Sequence, residues 1–363
     1  MNLKSVLSAC GLAAAVSWNP LAQAAGYGKP GEPIAMTVGF PCCYAATWSG
    51  YVMKEKELWK KYLPAGSEIS YNIPIAGPPI VNGMLADKIQ VGYLGDTAAI
   101  ALATKNQVAD VRLVATLALA TDQCNVLLVR PDAPAFDSPQ AAVKWLDGKE
   151  MAAPRGTCAD RFAQDMLKRE GAKPASNLNQ TIEVITSNFK AKKIDAAVIW
   201  EPVASQAVNA GIARRAASGA NFDVKDAAFL VMRHDLMQAR PDVAKAWLQA
   251  ELDAQLFMSD PANADAVIDM VNKNVPSFSR EDLRSAIYKR YPAQEGGAEV
   301  RLSQPFVFTP EVRALLADQT TFLHSVKGIA VTQLREEAVD DAIAGEVLKE
   351  RGLSSPVGQV TGR

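Results

Sequence analysis

Residues Ile194-Asp195-Ala196-Ala197-Val198-Ile199-Trp200-Glu201-Pro202 hold the repeating unit of the fold. Ala196 to Ile199 form an apolar run too short for a helix and without a polar interruption, the pattern of a strand buried on both faces. A large aromatic, a carboxylate and a proline end it. Pro202 suits the opening turn of a helix, because its φ is fixed and it has no N–H to satisfy. Strand, corner and helix make up the unit of an open α/β sheet, whose ligands bind beyond the carboxyl ends of the strands. Trp200 and Glu201 are therefore candidates for the lip of a site, although a tryptophan at such a corner is as often plain core.

The same unit recurs on both sides. Toward the N-terminus, strands are expected at Ile34–Phe40, Ile69–Ile73, Ile89–Tyr93 and Val111–Leu117. Between them lie helices marked by Trp48 to Leu63 at three- and four-residue steps, by Gly77-Pro78-Pro79 and by the alanine-rich run after Gly95-Asp96-Thr97. Nearer the opening stretch, strands are expected at Asn125–Arg130, Glu150–Ala153, Thr181–Ile185, Ile212–Ala216 and Ala227–Met232. Beyond Ala239 the chain reads as helical, with segments at Pro241–Met258, Asn263–Lys273, Arg280–Tyr291, Thr309–Lys327 and Arg335–Arg351, and Gly352–Arg363 reads as a flexible tail. Strands alternating with helices predict a parallel-rich α/β architecture.

Three strand ends share one form. Gly95-Asp96-Thr97, Arg155-Gly156-Thr157 and Trp200-Glu201-Pro202 each join a strand to a helix N-terminus, where unpaired N–H groups favour an anion. Asp96 and Thr157 would equally serve as ordinary helix caps. Tyr44, Trp48, Tyr93 and Trp200 would add aromatic area, with Trp48 the one most readily placed in the core.

Composition restricts the setting. Lys4, an apolar run from Val6 to Trp18 and Ala22-Gln23-Ala24 form a secretory signal peptide over residues 1–24. A lipoprotein box at Leu7-Ser8-Ala9-Cys10 is the lesser reading, because the apolar stretch before Cys10 is short. Cleavage after Ala24 leaves roughly 340 residues, enough for two domains of about 100–200 each. With 38 basic and 39 acidic residues and no basic patch, a nucleic-acid partner is not expected.

As a set, three segments resemble the periplasmic substrate-binding proteins of nitrate/sulfonate/taurine-type ABC transporters. They are Ile73–Ala101, Gly148–Phe162 and Asp195–Pro202, and Arg240–Trp247 adds a further likeness. The resemblance covers Ile34–Asn274 and implies a type II periplasmic binding fold. That means two α/β lobes joined by two hinge crossings and closing on a ligand between them, with a helical C-terminal extension. Lobe 1 would comprise 30–122 and 226–351, and lobe 2 would comprise 123–225. Carried over onto this chain, the family's ligand contacts fall on Cys42, Cys43, Tyr44, Gly95, Asp96, Thr97, Arg155, Gly156, Thr157, Cys158, Trp200 and Glu201. The implied partners are a small-molecule ligand and an ABC permease at the membrane. No cofactor, metal or catalytic residue is implied, and the chain is expected to be a monomer in the periplasm.

Tandem Cys42-Cys43 departs from the family's pattern. With Cys124 and Cys158 it places four cysteines near one cleft. An exported compartment favours disulfides, and the even count permits them. Cysteine ligation of a soft metal or metal complex is the alternative. The ligand is expected to be a small organic anion or zwitterion of sulfonate type. Arg155 would hold its acid, and Asp96 or Glu201 could pair an amine. The rival function is an enzyme on the same fold, of the thiamine-pyrimidine-synthase type. Against it, no nucleophile elbow, Walker loop or zinc-protease motif occurs, and His234 and His324 have no catalytic spacing.

Overall fold

The computed structural model describes residues 26–363, so the signal peptide and Cys10 lie outside the described residues. Lobe 1 opens with β1 (Ala35–Gly39), α1 (Ser49–Glu55), β2 (Glu68–Asn72), α2 (Pro78–Leu85), β3 (Val91–Gly95), α3 (Asp96–Ala103) and β4 (Val111–Ala120). Lobe 2 follows with β5 (Val126–Val129), α4 (Pro139–Lys144), β6 (Glu150–Ala153), α5 (Cys158–Glu170), β7 (Ser176–Asn179), α6 (Ile182–Lys190), β8 (Ala196–Ile199), α7 (Val203–Asn209) and β9 (Arg214–Ser218). The chain then returns through β10 (Asp226–Arg233), α8 (His234–Ala239), α9 (Pro241–Ser259), α10 (Ala264–Asn274), α11 (Arg280–Ile287), β11 (Val300–Gln304), α12 (Pro310–Ser325), α13 (Ala342–Glu350) and β12 (Gly358–Thr361).

Each lobe is built on one sheet. Lobe 1 has the strand order β12-β11-β4-β10-β3-β1-β2, and lobe 2 has β7-β6-β8-β5-β9. The expected parallel-rich arrangement gives way to a mixed one. β1 pairs in parallel with β2 and β3, and β6 with β7 and β8, but β10 lies antiparallel between β3 and β4, and β5 antiparallel between β8 and β9. The reason is topological: β10 returns into lobe 1 from lobe 2, and β5 leaves lobe 1 for lobe 2, so neither is delivered by a β-helix-β crossover. The two strands are buried along nearly their whole length, which explains their unbroken apolar sequences.

Local chemistry sets most boundaries. The Ser138 hydroxyl accepts from Ala141 N–H at the start of α4, Thr309 does the same for Val312 at α12, and Ser279 and Asp282 form a capping box on α11. The single helix expected from Trp48 to Leu63 breaks at Glu57, which takes a left-handed φ of 49°. The strand expected at Thr181–Ile185 is α6 instead. Ile182, Ile185 and Phe189 follow the three- and four-residue helical step, and the strand is the preceding β7.

Two corrections concern the C-terminal region. It is not all helix, because β11 joins lobe 1 beside β4. Gly352–Arg363 is no loose tail either: β12 pairs antiparallel with β11, Arg363 N–H donates to Tyr288 O at 2.7 Å, and Val360 is buried. A four-residue edge strand with one buried side chain is held by ladder hydrogen bonds, which leave no hydrophobic period to read. Part of this region also leans on lobe 2. Asn209 bonds Asp282 at 2.9 Å, and the Ser218 hydroxyl donates to Gly296 O at 2.7 Å. Gly296 has a φ of +78°, and a Cβ there would lie 2.4 Å from Ser218 N, so only glycine lets this loop approach β9 so closely.

Candidate functional site

The chain passes between the lobes twice, at 121–125 and 219–225, and a cavity of about 430 Å³ opens beside these crossings. Lobe 1 lines it with Pro41 and Tyr44 after β1, Ile75 to Pro78, Val81 and Asn82 around the start of α2, and Gly95, Thr97, Ala98, Ala101 and Lys105 along α3. Lobe 2 contributes Arg155, Gly156, Thr157, Cys158 and Trp200, and the first crossing contributes Cys124. Leu323 and Gly328, at the end of α12, complete the wall. A wider groove of about 1090 Å³ lies further along α5 and α12, lined by acids and bases of both signs. The smaller cavity is the candidate site because all three strand-end turns meet there.

The turns are shaped from within. At α5 the Thr157 hydroxyl accepts from Asp160 N–H at 3.3 Å and donates to Pro154 O at 2.6 Å, so its capping role is real. Gly156 takes a φ of +71°, and its N–H donates to Asp160 Oδ2 at 2.9 Å. Arg155 is exposed, with Nη2 donating to Asn177 O at 3.3 Å. The Tyr44 ring lies flat enough on Gly95 that a Cβ there would come within 3.3 Å of it.

Several expected contacts face elsewhere. Asp96 is fully buried beneath the cleft, accepting from Gln319 Nε2 at 2.7 Å, from Ala227 N–H at 3.3 Å and from Thr97 N–H at 2.6 Å. Beside it Asp226 accepts from the Tyr44 hydroxyl at 3.2 Å and from Cys124 N–H at 2.9 Å. Burial, and next the Asp96 charge, push Asp226 up to about 8. Glu201 is also fully buried and points away from the cleft, with Oε1 2.6 Å from Arg215 Nη1. Its backbone bridges the lobes, accepting from Ala45 N–H at 3.3 Å. Neither Asp96 nor Glu201 is therefore placed to pair a ligand amine. Trp48 and Tyr93 are core residues, and the Tyr93 hydroxyl donates to buried Glu251 at 2.8 Å.

The cysteines form two bridges, Cys42–Cys43 and Cys124–Cys158. The first joins neighbours in the loop after β1, and neither of its cysteines lines the cavity. The second ties the first crossing to the N-terminus of α5 within the cleft wall. With all four sulfurs paired, the soft-metal alternative loses its thiolate ligands. The sequence did not mark Lys105, Asn82, Ile75 or Leu323 for the site. Lys105 was the most accessible of these, since it follows Thr97, Ala98 and Ala101 at helical spacing.

Comparison with known proteins agrees with this architecture. The sequence profile of the NMT1-like family matches residues 28–272. No curated protein matches the chain significantly. Among solved structures, the alkanesulfonate-binding protein SsuA from Xanthomonas axonopodis pv. citri, bound to MOPS, superposes with a TM-score of 0.65 at 18% identity, over 85% of this chain and 98% of its own. The periplasmic nitrate-binding protein NrtA from Synechocystis PCC 6803 gives 0.66 at 16%, over 89% and 90%. The desulfurization enzyme DSZB gives 0.65 at 14%, over 87% and 99%. Binding proteins and an enzyme thus share this fold.

Proposed function

We propose that this chain, which belongs to the NMT1-like family, is an exported receptor that captures a small organic anion between its lobes and hands it to an ABC permease. One observation carries the reading. Strand-end turns from both lobes meet around one cavity that offers apolar surface and two cations, Arg155 and Lys105, and no carboxylate among the described lining residues. Such a lining suits an anion with an apolar body and gives a ligand ammonium no counter-charge. The sulfonate-binding and nitrate-binding neighbours support an anion as cargo, and MOPS in one of them shows an organic sulfonate held by this fold. Closure would turn about the two crossings and bring Trp200 toward Ile75 and Ala98.

The desulfurization enzyme DSZB shares the fold, but the described lining of the cavity favours a receptor. It holds no histidine and no carboxylate, its cysteines are paired, and the Thr157 hydroxyl is spent on Pro154 O. Lys105 and Tyr44, whose hydroxyl donates to Asp226, are the lining side chains that remain able to move a proton.

The test is thermal unfolding of purified mature protein against organic sulfonates, carboxylates, amines and nitrate. A ligand at about a hundred times its Kd adds ~2.7 kcal/mol of stability. Shifts with anions and none with amines are expected, with the ligand recovered unchanged. Turnover of a bound anion would overturn the receptor reading, and unaltered uptake in cells lacking the gene would overturn the import role.

A further inference from the structure

We infer that the cleft is built for an organic anion with two separated negative groups, one met by Arg155 and the other by Lys105, across an apolar middle. The inference rests on the receptor reading above and narrows its ligand class. Among the described lining residues these are the only charged side chains, and they come from opposite lobes. Among the described residues neither Lys105 nor Arg155 has an ion-pair partner, and the Arg155 guanidinium donates to Asn177 O.

Their positions keep them apart. Lys105 lies just past the C-terminal end of α3, at the opposite end of that helix from Thr97. Arg155 sits at the mouth of lobe 2, drawn toward the edge strand β7 by its bonds to Asn177 and Asn179. Ala98, Ala101, Leu323 and Trp200 supply apolar surface to the same cavity. Closing the lobes would withdraw both cations from water with no protein acid to meet either, and burying an unpaired charge is strongly unfavourable. One anionic group resolves one cation and leaves the other bare. Two groups on one molecule resolve both, and a cavity of this volume has room for the connecting body.

The experiment compares matched probes by calorimetry on the mature protein: terephthalate against benzoate, and adipate against hexanoate. Each second carboxylate is expected to tighten binding by about tenfold or more. In Lys105→Met that margin should collapse. In Lys105→Arg it should persist. Monoanions that bind wild type as tightly as their dianion partners, or a margin unchanged in Lys105→Met, would overturn the two-headed ligand and leave the receptor reading standing. If none of the four binds while a monosulfonate does, the two-headed ligand is again overturned. If no anion binds at all, the receptor reading falls with it.

Discussion

Two groups of fully buried carboxylates flank the first crossing, and they are charged in opposite ways. On the side away from the cleft, Asp122 and Glu201 meet two arginines. Arg215 Nη1 lies 2.6 Å from Glu201, Arg215 Nη2 lies 3.5 Å from Asp122, and Arg301 Nε lies 3.0 Å from Asp122. The Tyr291 ring packs 4.1 Å from the Arg215 guanidinium, and Arg301 also donates to Ala286 O at 2.7 Å. This clasp joins lobe 2, the crossing, α11 and β11. Beneath the cleft, Asp96 and Asp226 have hydrogen bonds from neutral donors and no arginine bonded to either. Equal burial therefore has unlike consequences. The clasp pairs two carboxylates with two arginines, whereas the floor sets Asp96 beside Asp226 with the Arg161 charge acting on Asp96, and Asp226 is held toward its protonated form.

Breaking the clasp should have the largest effect. Arg215→Met takes away the nearest cation of Glu201, leaving Arg301 Nη2 at 3.9 Å, and removes half of Asp122's pairing, and is expected to cost about 3–5 kcal/mol in urea unfolding. Adding Glu201→Gln should recover much of that loss, since removing both partners leaves no buried orphan charge. A loss no greater than that of an exposed ion pair would mean that the clasp does not hold the lobes.

The floor should be sensitive to pH instead. With Asp226 raised to about 8 in the folded state, the native protein keeps a proton that the unfolded chain releases near pH 4. The contribution of Asp226 to stability is then full below about pH 4 and is lost as pH rises toward 8, by at most ~1.4 kcal/mol per unit. Asp226→Asn removes this slope, because its amide can accept from Cys124 N–H and face the Tyr44 hydroxyl without ionising. Denaturation midpoints at several pH values compare the two, and parallel profiles would place the proton elsewhere.

The disulfides give the smallest contrast. Cys124–Cys158 spans 34 positions, and replacing both cysteines with serine is expected to cost about 2–4 kcal/mol. Cys42–Cys43 spans one, so it closes no chain loop, and its serine variant should lose less than ~1 kcal/mol. Equal losses would show that loop closure is not what the longer bridge contributes.

Much of this was legible in the residues. Ala196–Ile199 reads as a buried strand and is one, and the Gly-Asp-Thr, Gly-Thr-Cys and Trp-Glu corners all reach the lobe junction. Within those corners some side chains line the cavity and others are buried beneath it. Trp200 and Glu201 are adjacent, yet one lines the cleft and the other enters the clasp. Arg301 could not be seen as the partner of Asp122, because nothing local ties positions so distant in the chain. The short strands β7, β11 and β12 escaped for a related cause: their stability comes from ladder bonds supplied by neighbours.

Apolar period, capping residues and glycine placement act over a few neighbours, so the sequence by itself determined the alternation of strand and helix and the turns that end each strand. Which carboxylates meet an arginine, which keep a proton, which cysteines pair and which cations stay free for a ligand were decided only when the tertiary structure brought distant residues together. Charge and solvation depend on who is near in space, and burial makes that dependence strong.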